Sequence, residues 1–338
     1  MSEFAVTQPV SSTAPSASAG GAVLPTTPAK KRRRRKFSVL TRRDRLTLVF
    51  MVGVPAFIHI FLIWVPTIAS IILSFTKWNG VGGIEKIQWI GLRNYEVLKD
   101  IYQPFWPAVQ HNFIWLGTFL FIATPLGMLI AVILDRNLRG SRIYQSVLYM
   151  PVVLSLAIVG FIWQLIYAPG SGFINNFLDV VTGSTKWTTP GTAIDWLGNH
   201  DLNLWAVLVA ASWRHVGYIM VLYLAGLKSV DNTLREAAAI DGANARQTFF
   251  RVIFPVLAPI NVVILVVTVI ESLRAFDIVY VINKGLNGLE LLSVLITTNL
   301  LGEASLIGFG SSIAVVLLLI SIGPIIFYLY RTMREQPE

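Results

Sequence analysis

The chain has 338 residues, of which 54% are hydrophobic and only 13% charged, with a mean hydropathy of +0.65; a soluble domain carries about 25% charged residues, so this composition belongs to an integral membrane protein. Cysteine is absent, which excludes disulfides, thiolate metal sites and a cysteine nucleophile. The net charge of +9 is concentrated in seven consecutive basic residues, Lys30 to Lys36, just before the first apolar run; there they act as a topology signal and an anionic-lipid contact, and no nucleic-acid partner is expected.

Residues 1–29 are rich in Ser, Thr, Ala and Pro, with Glu3 as their one charge, and are predicted to form a disordered tail that ends, with the basic block, at residue 45. A cleaved signal peptide is the competing reading, but the basic block starts thirty residues in and the apolar run after it is too long. A hydrocarbon core about 30 Å thick needs about 20 apolar residues in a helix. Six segments of 46–334 meet that length: 46–75, 108–134 and 144–168 contain no Asp, Glu, Lys or Arg; 202–227 contains Arg214; 259–282 contains Glu271, Arg274 and Asp277; and 307–330 contains none. Their length, and the lack of ten-residue alternating strands, predict an all-α membrane protein with six transmembrane helices. No internal repeat is evident, so the inverted-repeat plan of many secondary transporters lacks support.

Counting Lys and Arg outside the spans gives nineteen on the side of both termini and six on the other. Both termini, and the insert at 229–258, are therefore expected in the cytoplasm. The opposite loops carry Gly and Pro turn signals with Trp78, Trp89, Trp187 and Trp196 where interfacial anchors fall; residues 283–306 read as one of these loops.

The insert at 229–258 is the chain's most informative segment. Asp231 or Asn232 can cap a helix over 234–240, Ala-rich and with Glu236 near its positive end. Gly242 ends that helix, and residues 243–251 resume one that Pro255 and Pro259 stop or bend. On helical spacing alone, an interfacial elbow without a partner is an equal reading. The run Glu236-Ala237-Ala238, three residues, Gly242, then nine residues and a short apolar run ending in Pro255 resembles the EAA motif of the membrane subunits of ATP-binding-cassette importers, with Val252 and Phe254 in place of the usual Ile and Leu. Trp78-Asn79-Gly80, the stretch from Ile90 to Tyr95, the run from Leu224 to Val230 and the run from Ala275 to Val281 resemble the carbohydrate-importing branch of that family.

The resemblance implies the fold of a type I importer permease in a bacterial-type plasma (inner) membrane. It implies a second permease subunit, two cytosolic ATPase subunits that hold ATP and Mg, an extracytoplasmic sugar-binding protein and a sugar substrate moved by alternating access. By the same likeness Glu236 is a candidate for an ion pair with the ATPase, and Ala237, Ala238, Asp241, Gly242 and Ala243 for the docked surface. The chain has no Gly-x-x-x-x-Gly-Lys-Ser/Thr phosphate loop, so it carries no ATPase site and no cofactor of its own. An ATP-independent secondary transporter and a channel subunit are the alternatives, and both leave the insert unexplained.

Ionisable groups inside spans face a cavity or each other. Glu271 and Arg274, and again Arg274 and Asp277, are three residues apart, as on one helical face. Ser212, Trp213, Arg214, His215 and Tyr218 form a polar and aromatic cluster in the fourth span. Ser212, Arg214, His215, Tyr218, Glu271 and Arg274 are the candidates for the substrate path, with structural charge neutralisation as the bland reading. Gln164 reads as a packing residue.

Overall fold

Long apolar helices make up most of the computed structural model, which describes residues 41–136, 139–302 and 305–334. The predicted tail and basic block at 1–40 lie outside the described residues. The chain divides into two units, Met1–Phe57 and Ile58–Glu338, and the candidate site lies in the second. In chain order the helices are α1 (Arg42–His59), α2 (Val65–Leu73), α3 (Arg93–Asp100), α4 (Phe105–Thr118), α5 (Thr124–Leu134), α6 (Ser141–Val153), α7 (Leu156–Ile166), α8 (Phe173–Thr182), α9 (His200–Ser229), α10 (Asn232–Ile240), α11 (Ala245–Gln247), α12 (Phe254–Val256), α13 (Ala258–Leu273), α14 (Asp277–Asn283), α15 (Leu292–Leu301) and α16 (Ile307–Arg334). A short hairpin, Thr76–Lys77 with Gln88–Trp89, pairs antiparallel between α2 and α3.

Among the described residues, Arg43–Leu73, Phe105–Leu134, His200–Ser229 and Ile307–Ile326 are each long and apolar enough to cross a membrane. Two bent pairs, Ser141–Val153 with Leu156–Ile166 and Ala245–Val256 with Ala258–Asn283, raise the number to six. Helices suit that environment because each satisfies its own backbone hydrogen bonds. Three helical runs widen to a π turn, at Ile60–Trp64, Phe119–Ala123 and Thr248–Ile253. Each of these turns ends two residues before a proline, Pro66, Pro125 or Pro255. The ring has no N–H and crowds the carbonyl four residues back, and a wider turn absorbs both effects without ending the helix.

Several sequence expectations are corrected. The first helix opens at Arg42, inside the stretch read as tail. The third span is not one straight helix: α6 and α7 meet at 101°. Pro151 weakens the last turn of α6, Leu154 turns extended, and the Ser155 hydroxyl accepts from the Ile158 N–H at 3.3 Å to start α7. The fifth span breaks at residues 274–276, where Phe276 lies at φ −129° and ψ −58°. Arg274 and Asp277 thus sit on opposite sides of a helix break and do not share a helical face. Within the supposed outer loop at 283–306, α15 buries Leu292, Val294 and Leu295, and Leu292 and Leu295 pack with Leu98, Phe105, Ala108 and Ile313. At ten residues it is too short to span, so the length criterion overlooks it.

The α9 helix is buried along most of its length and is the centre of this unit. Its neighbours come close through missing side chains. A Cβ on Gly127 of α5 would lie 2.9 Å from Ile219 Cβ and from the Val216 carbonyl oxygen, and one on Gly217 would run into the Leu148 carbonyl oxygen of α6. Close backbone approach through small residues is how helices associate where no water drives them together. Because the obstacle at Gly217 is backbone, Gly217→Val should force α6 away from α9 and cost about 1–3 kcal/mol or more. Thermal unfolding of the detergent-purified protein checks this, and an unchanged midpoint would show that the crossing tolerates a branched side chain.

Candidate functional site

Two features of the second unit hold the residues singled out in the sequence, an elbow after α9 and a cavity against its middle. At the elbow, α9 closes with the Ser229 hydroxyl donating to the Gly226 carbonyl at 2.7 Å. Asp231 then caps α10, its carboxylate accepting from the Thr233 N–H at 2.9 Å. That backbone bond, reinforced by the Thr233 hydroxyl, holds the Asp231 carboxyl below the usual carboxylate range, so the cap is ionised at neutral pH.

The far end of α10 is closed by a Schellman turn. The Gly242 N–H donates to the Ala239 carbonyl at 3.1 Å and the Ala243 N–H to the Ala238 carbonyl at 2.9 Å. Gly242 sits at φ +76° with nothing near a would-be Cβ, so its glycine is required by backbone conformation and not by crowding. The second helix starts two residues later than the sequence suggested. Asn244 and Gln247 form a reciprocal capping box, with both bonds at 2.9 Å. The run then passes through the π turn at 248–253, on which α10 packs, and bends by 76° into α13.

One face of α10 is turned inward, with Ala238 buried and Arg235 partly so. The other face is open. Glu236, Ala237 and Asp241 are exposed, and Glu236 has no ion-pair partner among the described residues. Ile240 is 86% exposed. The sequence reading passed over this isoleucine, although a large apolar residue four positions after Glu236 on a polar insert is the available signal. It also passed over Arg235, whose guanidinium reaches Asp135 at 2.8 Å and the Leu227 carbonyl at 3.3 Å.

The cavity, of about 140 Å³, is lined by Trp115 and Phe119 from the second span, Leu156 at the start of α7, Ala211, Arg214 and His215 of α9, and Glu271 and residues 274–278 around the break in the fifth span. Arg214 pairs with Glu271 at 3.4 Å. His215 stacks on Phe119 with centroids 4.2 Å apart, and its Nε2 lies 3.3 Å from the Thr268 hydroxyl. Buried Arg214 Nε and Trp115 Nε1 have no hydrogen-bond partner. Buried donors without partners carry a desolvation cost. The structure thus gathers Arg214, His215, Glu271 and Arg274 around one space. Ser212 and Tyr218 do not line it; the Ser212 hydroxyl is buried without a partner, and Tyr218 packs against the apolar cluster around Tyr223. Trp115, Phe119 and Phe276 join it without having been proposed for the path, because only the fold brings these four spans together. Gln164 donates from Nε2 to the Val281 and Ile282 carbonyls at 2.9 and 2.6 Å, which fastens α7 to α14. Among the described residues no group of three His, Asp or Glu is placed to hold a metal ion.

Residues 123–336 match the family described as the binding-protein-dependent transport system inner membrane component. The chain belongs to that family. It is 32% identical over 288 residues to a xylose/arabinose import permease protein of Haloferax volcanii, covering 82% of this chain and 86% of that one. To a probable starch degradation products transport system permease protein of Thermoanaerobacterium thermosulfurigenes it is 29% identical over 282 residues, 82% and 91% of the two chains. A chain of a bacterial ABC transporter involved in the import of the acidic polysaccharide alginate superposes with a TM-score of 0.73 at 19% identity, over 87% of this chain and 97% of that one. The protein is thus a multi-pass membrane component of a binding-protein-dependent transport system, with the importer permease fold.

The Schellman turn gives a direct check on the elbow. Gly242→Val must hold a branched residue in the left-handed region and should destabilise the turn by about 1–2 kcal/mol, with Gly242→Asn milder. Faster amide exchange in α10 of the valine variant is the expected result, and equal exchange in all three proteins would contradict it.

Proposed function

We propose that this chain is a permease subunit of an ATP-driven carbohydrate importer. In this reading it forms the translocation path with a second permease and receives work from cytosolic ATPase subunits through α10. An extracytoplasmic binding protein presents the sugar, and the ATPase subunits hold the ATP and Mg. The observation that carries the reading is the form of α10. It is a helix fixed at both ends by its own caps, seated on the protein by one narrow face and open to solvent on the face that bears Glu236, Ala237 and Ile240. An exposed apolar side chain beside an unpaired carboxylate is what a docking anchor with a charged neighbour requires. The nineteen-to-six distribution of basic residues supports a cytoplasmic position for this face.

Carbohydrate as cargo is supported by the relatives named for xylose and arabinose and for starch degradation products. It is also supported by a cavity that combines Trp115, Phe119 and Phe276 with Arg214, Glu271, Arg274 and Asp277. Aromatic rings cover the apolar faces of a sugar while charged groups bond its hydroxyls. The path is then lined from this subunit by Arg214, His215, Glu271 and Arg274.

Purification of the tagged chain from its native membrane should bring down an ATPase and a second permease. Ile240→Glu is expected to lower the recovered ATPase by about tenfold, the cost of losing one anchor. Glu236→Ala should weaken docking or coupling less severely, and membrane insertion should be intact in both. Full ATPase recovery with Ile240→Glu would remove α10 from the docking surface. For the cargo path, uptake of labelled xylose, arabinose and maltooligosaccharides identifies the probe. With whichever is carried, Arg274→Met should raise the concentration for half-maximal uptake by about tenfold or more, and unchanged uptake kinetics would place Arg274 outside the path.

A further inference from the structure

Arg235 lies between two helix ends. On one side its Nη2 is 2.8 Å from Asp135 Oδ2, the C-cap residue of α5; on the other it donates to the Leu227 carbonyl, in the last turn of α9, at 3.3 Å. Both are negative helix termini. An aspartate at a helix C-terminus is placed against the dipole and gains stability only with a cation beside it, and this one is 12% exposed. A guanidinium suits the position, because the two N–H bonds of its Nη2 reach a carboxylate and a carbonyl at once while the group keeps its charge.

This pair joins α10 to the end of α5. It is the one ion pair between the elbow and the transmembrane helices among the described residues. Arg235 is on the face of α10 that also holds buried Ala238, away from Glu236 and Ile240. The two helices it grips pack on each other through Gly127 and Ile219, and Leu134 and Leu227 belong to the same buried cluster. Both lead back to the cavity: α5 continues the π turn that begins at Phe119, and α9 carries Arg214 and His215. At 1.5 Å per residue these stretches are about 20–24 Å of nearly continuous helix.

We propose that Arg235 is a positioning residue that makes α10 move as one body with α5 and α9, so that displacement of the elbow reaches the cavity. The proposal rests on the reading of α10 as the ATPase-docking element. Without the clamp, α10 keeps its docking face but can swivel about residues 230–231 and the Gly242 turn.

The absence of cysteine allows a test that needs no cargo. Ala275→Cys places one thiol at the cavity wall, and its maleimide labelling is followed in the purified complex with and without ATP and Mg. With Arg235 intact, ATP should change the labelling rate by about threefold or more; no ATP response in that protein would defeat the docking reading itself, before the clamp is examined. Given that response, Arg235→Ala and Asp135→Asn should each nearly abolish it while ATPase recovery stays within about twofold, and the double variant should be no worse than either single. Arg235→Lys, which keeps the charge, should retain about half of the response. Where Arg235→Ala assembles poorly, Arg235→Gln takes its place in the same cycle. A full ATP response in the single variants, multiplying defects in the double variant, or a lysine variant as impaired as alanine would each overturn the proposal.

Discussion

Backbone that leaves its helix inside a membrane has no water to bond, so its freed polar groups must find partners within the protein. The two interrupted spans of this protein obey that constraint. The Ser155 hydroxyl accepts from the Ile158 N–H in the first turn of α7. The Ser293 hydroxyl donates to the Ala275 carbonyl at 2.6 Å, and Gln164 donates to two carbonyls at the end of α14. Each such bond offsets about 1–3 kcal/mol that an unsatisfied buried group would cost. The half-helices freed in this way, α7 and α14, then pack on each other, with Gly160 against Val281. Residues from both breaks, Leu156 and Ala275 to Ile278, line the same cavity. Two spans are broken beside the polar space, one break capped by its own Ser155 and the other bonded by Ser293 of α15.

How much of this was legible depends on the range of the interactions. Six apolar stretches are a local property, and the architecture follows them. The elbow was legible because its signals, an acidic N-cap, an alanine run and a glycine at the turn, act within a few residues. The capping box of Asn244 and Gln247 was legible in principle and was passed over, as was Pro151 as a warning of the bend after α6. The break at 274–276 has no such mark. It contains neither glycine nor proline, and Ser293, which satisfies it, is 18 residues away. The cavity was only half legible for the same reason. Charged residues in spans draw attention wherever they lie, which found Arg214, Glu271 and Arg274, whereas Trp115 and Phe119 look like any aromatic residues in a span until α4 is packed on α9. Ser212 shares the polar cluster in sequence and still lies off the cavity wall, because the direction in which each α9 residue points is set by α5, α6 and α13 together.

The cavity and the elbow are linked by the chain itself. α9 carries Arg214 and His215 at its middle and passes into α10 through two extended residues, while the second limb of the elbow runs through the π turn at 248–253 into α13, which carries Glu271. The Arg214–Glu271 pair therefore closes a loop of structure that starts and ends at the elbow. Small residues keep that loop tight: Gly226 meets Leu257 and Ile260 just above the elbow, much as Gly217 meets α6 nearer the cavity. Stiffness along this path, together with the Arg235–Asp135 clamp that ties α10 to the end of α5, makes a mechanical link between the two places.

The two caps set back to back around Gly242 and Asn244 have a kinetic meaning as well. Because both short helices are closed by bonds made within the insert, the exposed face has its final form before anything binds to it. Little conformational entropy remains to be lost on contact. Recognition at this face should therefore proceed by collision of preformed surfaces, with association limited by orientation and charge and largely independent of any folding step.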